Sequence, residues 1–217
     1  MKYKLLDKEE IKNIIDILEK KYPNTHCGLD FGTPFELLLS LILAAQCTDV
    51  RVNIIRPKLT EKYPTPEIIS KLSYNDVYRV IKSCSFPNNK AHHIVEACKV
   101  LVNDFNGEVP RTMDKLVTIP GIGRKSANII LSDAYGIVKG IAVDTHVTRL
   151  SKKIGLTNST DVTVIEKDLM RKIPKEKWGY INHILVEHGK TTCIARKPKC
   201  DECEINAYCR EYLKAGV

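Results

Sequence analysis

Apolar residues recur at the three- and four-residue spacing of an α-helix along almost the whole chain, whereas two-residue alternation is almost absent. Asp7 and Glu10 form a capping-box pattern directly before one such segment, and Ser73 with Asp76 forms another. Residues 33–36 (TPFE) place a cap, a first-turn proline and a capping glutamate in front of a third. The pattern predicts an all-α fold, because no segment has the periodicity of a half-buried strand.

Further helices are predicted over Lys90–Phe105, Asp161–Ile173 and Glu176–His188, where the same apolar spacing continues. Pro57 lies inside another helical stretch, and we expect it to kink or shorten that helix because it has no backbone N–H to donate. Residues 137–143 are at most an extended connection. The sequence therefore predicts about nine or ten helices.

Composition narrows the class of protein. The 217 residues, 43% apolar and 28% charged, suffice for one large globular domain or two small ones. No apolar run approaches the ~20 residues of a membrane span, and residues 1–12 lack the apolar part of a secretory signal. We expect a cytoplasmic protein. Its 34 basic against 26 acidic residues, a net charge of +8, favour a polyanionic partner, nucleic acid first and an anionic membrane surface second.

A glycine-rich turn interrupts the helical pattern at residues 116–127 (LVTIPGIGRKSA). We expect a helix to end near Ile119 and another to begin at Arg124, with Gly121 and Gly123 in the turn between them. Glycines leave backbone N–H groups accessible, and together with a helix N-terminus these form a site suited to phosphate. Such a site reads backbone rather than bases. The alternative is a simple corner between two helices.

Lys125 stands in the first turn of the helix predicted after this glycine pair. The positive end of the helix dipole and the neighbouring Arg124 both disfavour an ammonium there, which favours the nucleophilic neutral amine. Asp144, in the segment IAVDTHVTRL, stands where another helix begins. Its simplest role is to cap that helix, and a second carboxylate oxygen facing a cleft could steer a lysine amine.

Four of the eight cysteines crowd into the C-terminal segment at the spacing Cys-x6-Cys-x2-Cys-x5-Cys, at positions Cys193, Cys200, Cys203 and Cys209. In an intracellular chain this spacing indicates a metal site, either one tetrahedral zinc or one iron–sulfur cluster. The loop between the first two cysteines contains Arg196, Lys197 and Lys199 and no acidic residue. It is either a phosphate-contacting loop or an ordinary solvated one.

The hairpin IPGIGRKSA, the segment AVDTH and the four-cysteine pattern, in this order, resemble the endonuclease III family of helix-hairpin-helix DNA glycosylases. The resemblance extends from about Phe35 to Cys209. It implies an all-α, two-lobed fold: a six-helix barrel at 27–137 ending in the hairpin, and a discontinuous iron–sulfur domain at 1–26 and 138–217. It also implies a [4Fe–4S] cluster rather than zinc on the four cysteines, and duplex DNA with damaged bases or abasic sites as the partner. We expect a monomer.

The resemblance also implies roles for single residues. Lys125 is the expected nucleophile at the anomeric carbon of a flipped nucleotide, and Asp144 its acidic partner. The resulting activity is removal of oxidised pyrimidines followed by strand cleavage 3′ to the abasic site through a Schiff base. Gln46 is expected to fill the gap left by the flipped base and Phe86 to wedge the partner strand. The alternative for Phe86 is packing inside the barrel, since CSFPNNKA departs from the family pattern there.

Other readings fit less well. The adenine glycosylases of the same superfamily lack the lysine and have a glutamate where this chain has Leu41. The pyrimidine-dimer glycosylases share both lysine and cluster, so the sequence separates them poorly. A non-catalytic iron–sulfur DNA-binding module leaves Lys125 and Asp144 without a role. A zinc nuclease is the weakest alternative, because four thiolates close the coordination sphere.

Overall fold

The computed structural model describes residues 4–215, and within this range it contains helices and no strand. The prediction of an all-α fold is confirmed. The α-helices are α1 (Lys8–Lys21), α2 (Pro34–Ala44), α3 (Asp49–Lys62), α4 (Pro66–Ile69), α5 (Tyr74–Ile81), α6 (Pro87–Phe105), α7 (Met113–Leu116), α8 (Arg124–Ile129), α9 (Thr145–Ile154), α10 (Val162–Lys172), α11 (Ile181–Thr191) and α12 (Arg210–Lys214).

Short helical segments of other types complete the chain. A π-helical turn, Ile130–Ala134, continues α8 directly, and 3₁₀ turns occupy Lys175–Lys177 and Asn206–Tyr208. None of the helices described between residues 4 and 215 is both long and apolar enough to cross a bilayer.

Local sequence signals explain where several helices begin. Asp7 and Glu10 form the predicted capping box at α1, and Ser73 with Asp76 forms the one at α5. At α2 the Thr33 hydroxyl accepts the Glu36 N–H as expected. The Glu36 carboxylate, however, accepts from Gly32 N at 2.5 Å and pairs with Arg56 at 3.1 Å. A tertiary ion pair has therefore drawn this glutamate out of the predicted capping box.

Three helices differ from the sequence-based expectation. α3 runs unbroken through Pro57, so the helix is not shortened there. The helix expected over Glu176–His188 is divided into the 3₁₀ turn and α11, which begins only at Ile181. The first helix of the hairpin, α7, is a single turn that ends at Leu116 rather than near Ile119. In the last two cases the apolar residues are spaced as predicted, but this spacing does not fix where the helix begins or ends.

The chain divides into two compact units. One is Cys27–Ile137 and contains α2 to α8. α6, its longest helix, packs against α4, α5 and α2. The apolar faces meet in a core of fully buried side chains: Leu37, Leu38, Leu39, Leu43, Leu59, Ile69, Ile81, Ile94 and Leu101.

The other unit comprises the described residues up to His26 and those from Val138 onward. Here α1 packs on α11, and α9 packs on α10, α11 and α12. Leu18, Leu150, Ile165 and Ile184 are among the buried residues of its core. Cys193, Cys203 and Cys209 lie partly buried against the same core. The C-terminal cysteine segment is therefore integrated with this core.

Candidate functional site

The glycine hairpin lies between α7 and α8, and its two glycines have different conformations. Gly121 has φ +83°, and a Cβ there would lie 3.2 Å from both Ile42 and His93 side-chain carbons. Gly123 is the N-cap of α8 with φ −93°, and a Cβ there would meet no atom within 4 Å. Gly121 is thus required by the turn itself, whereas Gly123 leaves an open surface in front of the first N–H groups of α8.

Lys125 is exposed in the first turn of α8, next to the exposed Arg124, as the sequence predicts. The first turn contains no acidic residue, and the N-cap provides no side-chain acceptor. The positive end of the helix dipole at this terminus favours an oxyanion ligand. Ile119 and Ile122, on either side of Gly121, are buried and anchor the hairpin turn. The structure therefore presents the lysine on a rigid turn.

Asp144 is the N-cap of α9, with its side chain about one-fifth exposed. Its Oδ1 accepts the N–H of Val147 at 2.8 Å. Its Oδ2 lies 3.3 Å from Nδ1 of His146. Asp144 therefore caps α9, as its simplest predicted role requires, and its second carboxylate oxygen lies next to His146. Lys125 belongs to one compact unit and Asp144 to the other.

Gln46 and Phe86, the two residues expected to displace bases, are both exposed and share an unusual backbone. Gln46 has φ +53° and Phe86 has φ +51°, in the left-handed region that non-glycine residues rarely adopt. The Phe86 side chain is 59% exposed, so the alternative in which it packs inside the unit is wrong. Gln46 lies in the turn between α2 and α3, and Phe86 is the N-cap of α6.

The four C-terminal cysteines line one pocket. Ile154, His188, Ile205 and Tyr212 also line it. Backbone hydrogen bonds fold the segment around the pocket, for example Cys203 N to Cys200 O at 3.2 Å and Cys209 N to Asn206 O at 2.9 Å. Within residues 4–215 no three His, Cys, Asp or Glu side chains converge in the manner of a single-ion site.

The chemistry of this pocket suits an iron–sulfur cluster. Burial raises the pKa of the Cys193 and Cys203 thiols, and Arg149 partly opposes that for Cys193. Buried thiolates therefore need a cationic partner, which a cluster supplies. An apolar wall and four sulfur donors are the environment in which such clusters are held. By contrast, burial raises the pKa of the isolated Cys98 to about 12, as expected for an inert core thiol.

The basic loop between Cys193 and Cys200 is solvent-facing. Arg196, Lys197 and Lys199 are all exposed. The Lys199 N–H donates to the Thr192 carbonyl at 2.9 Å, which anchors the end of the loop beside the cysteine pocket. The loop thus presents three cations from a fixed base.

Two cationic side chains that were not predicted as site residues make hydrogen bonds here: Arg149 beside the cysteine pocket and Lys90 at the end of α2. Arg149 donates to the backbone carbonyl of Cys193 and, at 3.2 Å, to that of Gly189. Lys90 is 3% exposed and donates to the Leu43 carbonyl at 2.7 Å. One signal for Lys90 was present in the sequence: it stands four residues before Ile94 on the buried stripe of α6, where a lysine is out of place.

Comparison with known proteins defines the class. Residues 39–175 match the family described as HhH-GPD superfamily base excision DNA repair protein. Residues 193–209 match the iron–sulfur binding domain of endonuclease III. The fold and the hairpin therefore define a helix-hairpin-helix DNA repair glycosylase with a [4Fe–4S] cofactor, and zinc is not favoured.

Individual proteins similar to this chain point to the same class. The chain is 44% identical to endonuclease III of Synechocystis sp. over 93% of its length and 92% of the relative's. It is 41% identical to that of Bacillus subtilis, over 97% and 96%. A solved structure of a trapped endonuclease III–DNA covalent intermediate with an estranged adenine superposes with a TM-score of 0.92 at 41% identity, covering 98% and 100% of the two chains. The chain belongs to the endonuclease III family.

Proposed function

We propose that the protein removes oxidised pyrimidines from duplex DNA and then cuts the strand 3′ to the abasic site as a lyase. One observation carries this proposal: an exposed Lys125 stands at the open glycine turn of a chain 41% identical to an endonuclease trapped covalently on DNA. A lysine amine that forms a covalent bond to the sugar accounts for both activities through one intermediate.

The reaction follows from the chemistry of a primary amine. The Lys125 lone pair forms a bond to the anomeric carbon of the flipped nucleotide while the glycosidic bond breaks and the base leaves with the electron pair, taking a proton. The C1′–O4′ bond of the sugar then breaks as the Lys125 nitrogen lone pair forms the C=N bond, O4′ takes a proton from solvent, and a protonated Schiff base results. Loss of a C2′ proton then expels the 3′ phosphate by β-elimination, and water hydrolyses the imine to release Lys125.

Asp144 is proposed to stabilise positive charge on the sugar. Its Oδ1 is fixed by the Val147 N–H, so the carboxylate is oriented before DNA binds. His146 Nδ1, 3.3 Å from Oδ2, holds the second oxygen. A carboxylate fixed by a helix N-terminus needs little reorganisation when charge develops.

The DNA contacts are proposed to divide between phosphate and base-stack readers. The N–H groups around Gly121 and Gly123, with Arg124, suit a phosphate. The exposed cations of the basic loop suit a second stretch of backbone. Gln46 and Phe86 are proposed to enter the base stack, which their exposure permits.

The four C-terminal cysteines are proposed to hold the [4Fe–4S] cluster. When bound, the cluster would replace the four partly exposed thiols by iron–thiolate bonds that tie the loop to the core of its unit. Arg149, 3.7 Å from the Cys193 sulfur, offsets negative charge there. The basic loop between Cys193 and Cys200 is thereby held in place.

Borohydride trapping tests the proposal. The protein is incubated with duplexes containing thymine glycol or an abasic site, and reduction converts any Schiff base into a stable adduct. We expect adducts on both duplexes, absent in Lys125→Ala and retained in Lys58→Ala, which removes an exposed lysine from α3. The control separates loss of the nucleophile from loss of one positive charge.

Two other outcomes would each favour a different function. An adduct on the abasic duplex alone would keep the lyase but remove thymine glycol as substrate, and pyrimidine dimers would be assayed next. Tight binding with no adduct on either duplex would contradict the catalytic assignment and would favour a non-catalytic iron–sulfur DNA-binding module.

A further inference from the structure

The two loops that carry Gln46 and Phe86 are joined by hydrogen bonds through a buried lysine. The Lys90 ammonium donates to the Leu43 carbonyl at 2.7 Å and to the Ser85 hydroxyl at 3.3 Å. The Ser85 hydroxyl in turn donates to the backbone carbonyl of Gln46. One side chain on α6 thus connects the end of α2 with both loops.

Lys90 occupies a position where a cation is needed at the end of α2. The last carbonyls of a helix have no partner within the helix and carry the negative end of its dipole. α2 has no basic residue in its last turn, and Leu43 lies in that turn. The ammonium of Lys90 therefore satisfies a carbonyl that the helix itself leaves open.

The Phe86 loop is connected to the lysine through Ser85. Phe86 is the N-cap of α6 without a side-chain cap, and its carbonyl accepts the N–H of residue 90 in the first i→i−4 bond of the helix, which any residue there would form. Phe86 and Gln46 are both left-handed, a conformation that persists in non-glycine residues only when the surroundings impose it. The hydrogen bonds from Lys90 to Ser85 and from Ser85 to Gln46 connect the backbones of the two loops.

Burying a lysine ammonium at this position costs free energy of folding, so a purely structural role does not explain it well. Lys90 is almost completely buried, and burial lowers its pKa, a shift that the neighbouring Cys84 and Cys47 thiols oppose. An apolar side chain on the same buried stripe would avoid this cost, as Ile94 does one turn later. The hydrogen bonds to the two loops are what an apolar residue could not provide.

We propose that Lys90 is a positioning residue for the excision reaction: it holds Gln46 and Phe86 at a fixed separation, so that both enter the base stack together. Lys90 itself contacts neither DNA nor the reacting atoms. This inference rests on the proposed function, because it presumes that the two exposed side chains displace bases.

Lys90→Met tests the inference, because methionine is similar in length, apolar and without a donor. Lys90→Arg restores the cation and its donors. Ser85→Ala breaks the link to Gln46 and removes one acceptor of the ammonium, but it leaves the cation and its hydrogen bond to Leu43 in place. Lys99→Met is the matched control: it removes an exposed lysine from the same helix, one that pairs with Glu96 at 2.8 Å.

The first measurement is hydrogen exchange of the free, cluster-loaded protein. In Lys90→Met we expect the amides of residues 45–47 and of Ser85 and Phe86 to exchange at least about tenfold faster, while the core of α6 stays protected. Ser85→Ala should accelerate residues 45–47 in the same way. Lys99→Met should leave both loops unchanged. Unaltered exchange in both loops of Lys90→Met would overturn the proposal, whatever the activity.

The second measurement is the single-turnover excision rate on a thymine glycol duplex. We expect a loss of about tenfold in Lys90→Met, substantial recovery in Lys90→Arg and no loss in Lys99→Met. In a background that already contains Gln46→Ala and Phe86→Ala, the additional loss from Lys90→Met should nearly vanish. A full additional tenfold loss there would show that Lys90 acts by another route and would overturn the inference.

Failure of the proposed function would look different. Absence of a borohydride adduct in the wild-type protein would overturn the glycosylase–lyase assignment, and with it the catalytic half of this proposal. Unchanged loop exchange in Lys90→Met would overturn the lysine link alone and would leave the assignment of Lys125 intact.

Discussion

Single residues in the hairpin act through backbone geometry. Gly121 and Gly123 are two positions apart, yet only Gly121 combines a positive φ with neighbours 3.2 Å from where a Cβ would stand. Gly123 has an ordinary extended backbone and open space on its side-chain face. The first glycine therefore supports folding, and the second leaves room for a ligand to approach the helix terminus.

This difference predicts opposite outcomes for two identical substitutions. Gly121→Ala should lower the free energy of unfolding by about 1–3 kcal/mol, because alanine is strained at φ +83° and crowds Ile42 and His93. Gly123→Ala should change it by less than about 0.5 kcal/mol but weaken binding of an uncleavable abasic duplex. Urea unfolding and a binding titration measure the two effects. Equal stability losses would contradict the division of roles.

At the scale of elements, the sequence predicts what local chemistry decides. The capping boxes at α1 and α5 and the start of α8 at Arg124 follow from residues within one turn of each other. The shift of Glu36 onto Gly32 and Arg56 does not, because Arg56 comes from another helix. The exposure of Phe86 is likewise set by tertiary packing. The burial of Lys90 is indicated by its place on the apolar stripe of α6, but that stripe does not identify its acceptor, the Leu43 carbonyl of another helix.

An ion pair links α1 to the turn before α11 and gives a pH-dependent prediction. Lys177 donates to both Glu19 carboxylate oxygens at 2.6 and 2.8 Å, and Tyr180 also donates to Glu19. These hydrogen bonds lower the pKa of Glu19 despite its partial burial. The unfolded state therefore binds the proton more readily, and stability from this group is present at pH 7 and lost as pH falls through the folded-state pKa.

Glu19→Gln should accordingly destabilise the protein by about 1–2 kcal/mol at pH 7. The difference from wild type should shrink as the pH falls from 7 to about 3, because the pKa of Glu19 is lowered in the folded protein and its carboxylate is protonated only well below the ordinary value. Urea unfolding at the two pH values gives the comparison. Glu176→Gln, at an exposed position in the same 3₁₀ turn, should have no effect at either pH. A Glu19→Gln effect that is independent of pH would exclude the ionic contribution.

At the scale of the whole molecule, the cysteine segment belongs to a unit assembled from both ends of the chain. Leu18 of α1 shares its core with Leu150 and Ile184, and Cys193, Cys203 and Cys209 pack against that core. The spacing of the four cysteines is a local feature, and the sequence alone predicts a metal site from it. The core they pack against also includes Leu18 of α1, from the opposite end of the chain, and this contact appears only in the folded structure. Stability of this unit is therefore tied to occupancy of the cysteine pocket.

This coupling predicts that removal of the cluster unfolds one unit selectively. Cys203→Ser, or chelation of iron from the wild type, should abolish the visible absorption and iron content and should accelerate hydrogen exchange in α1 and α9–α12. Exchange in α2–α6 should change much less, because their core within Cys27–Ile137 contains none of the four cysteines. Cys98→Ala, which removes a buried thiol of α6, should retain iron and absorption. Uniform acceleration across both units on iron removal would show that the chain unfolds as one cooperative body, and the local coupling would then be wrong.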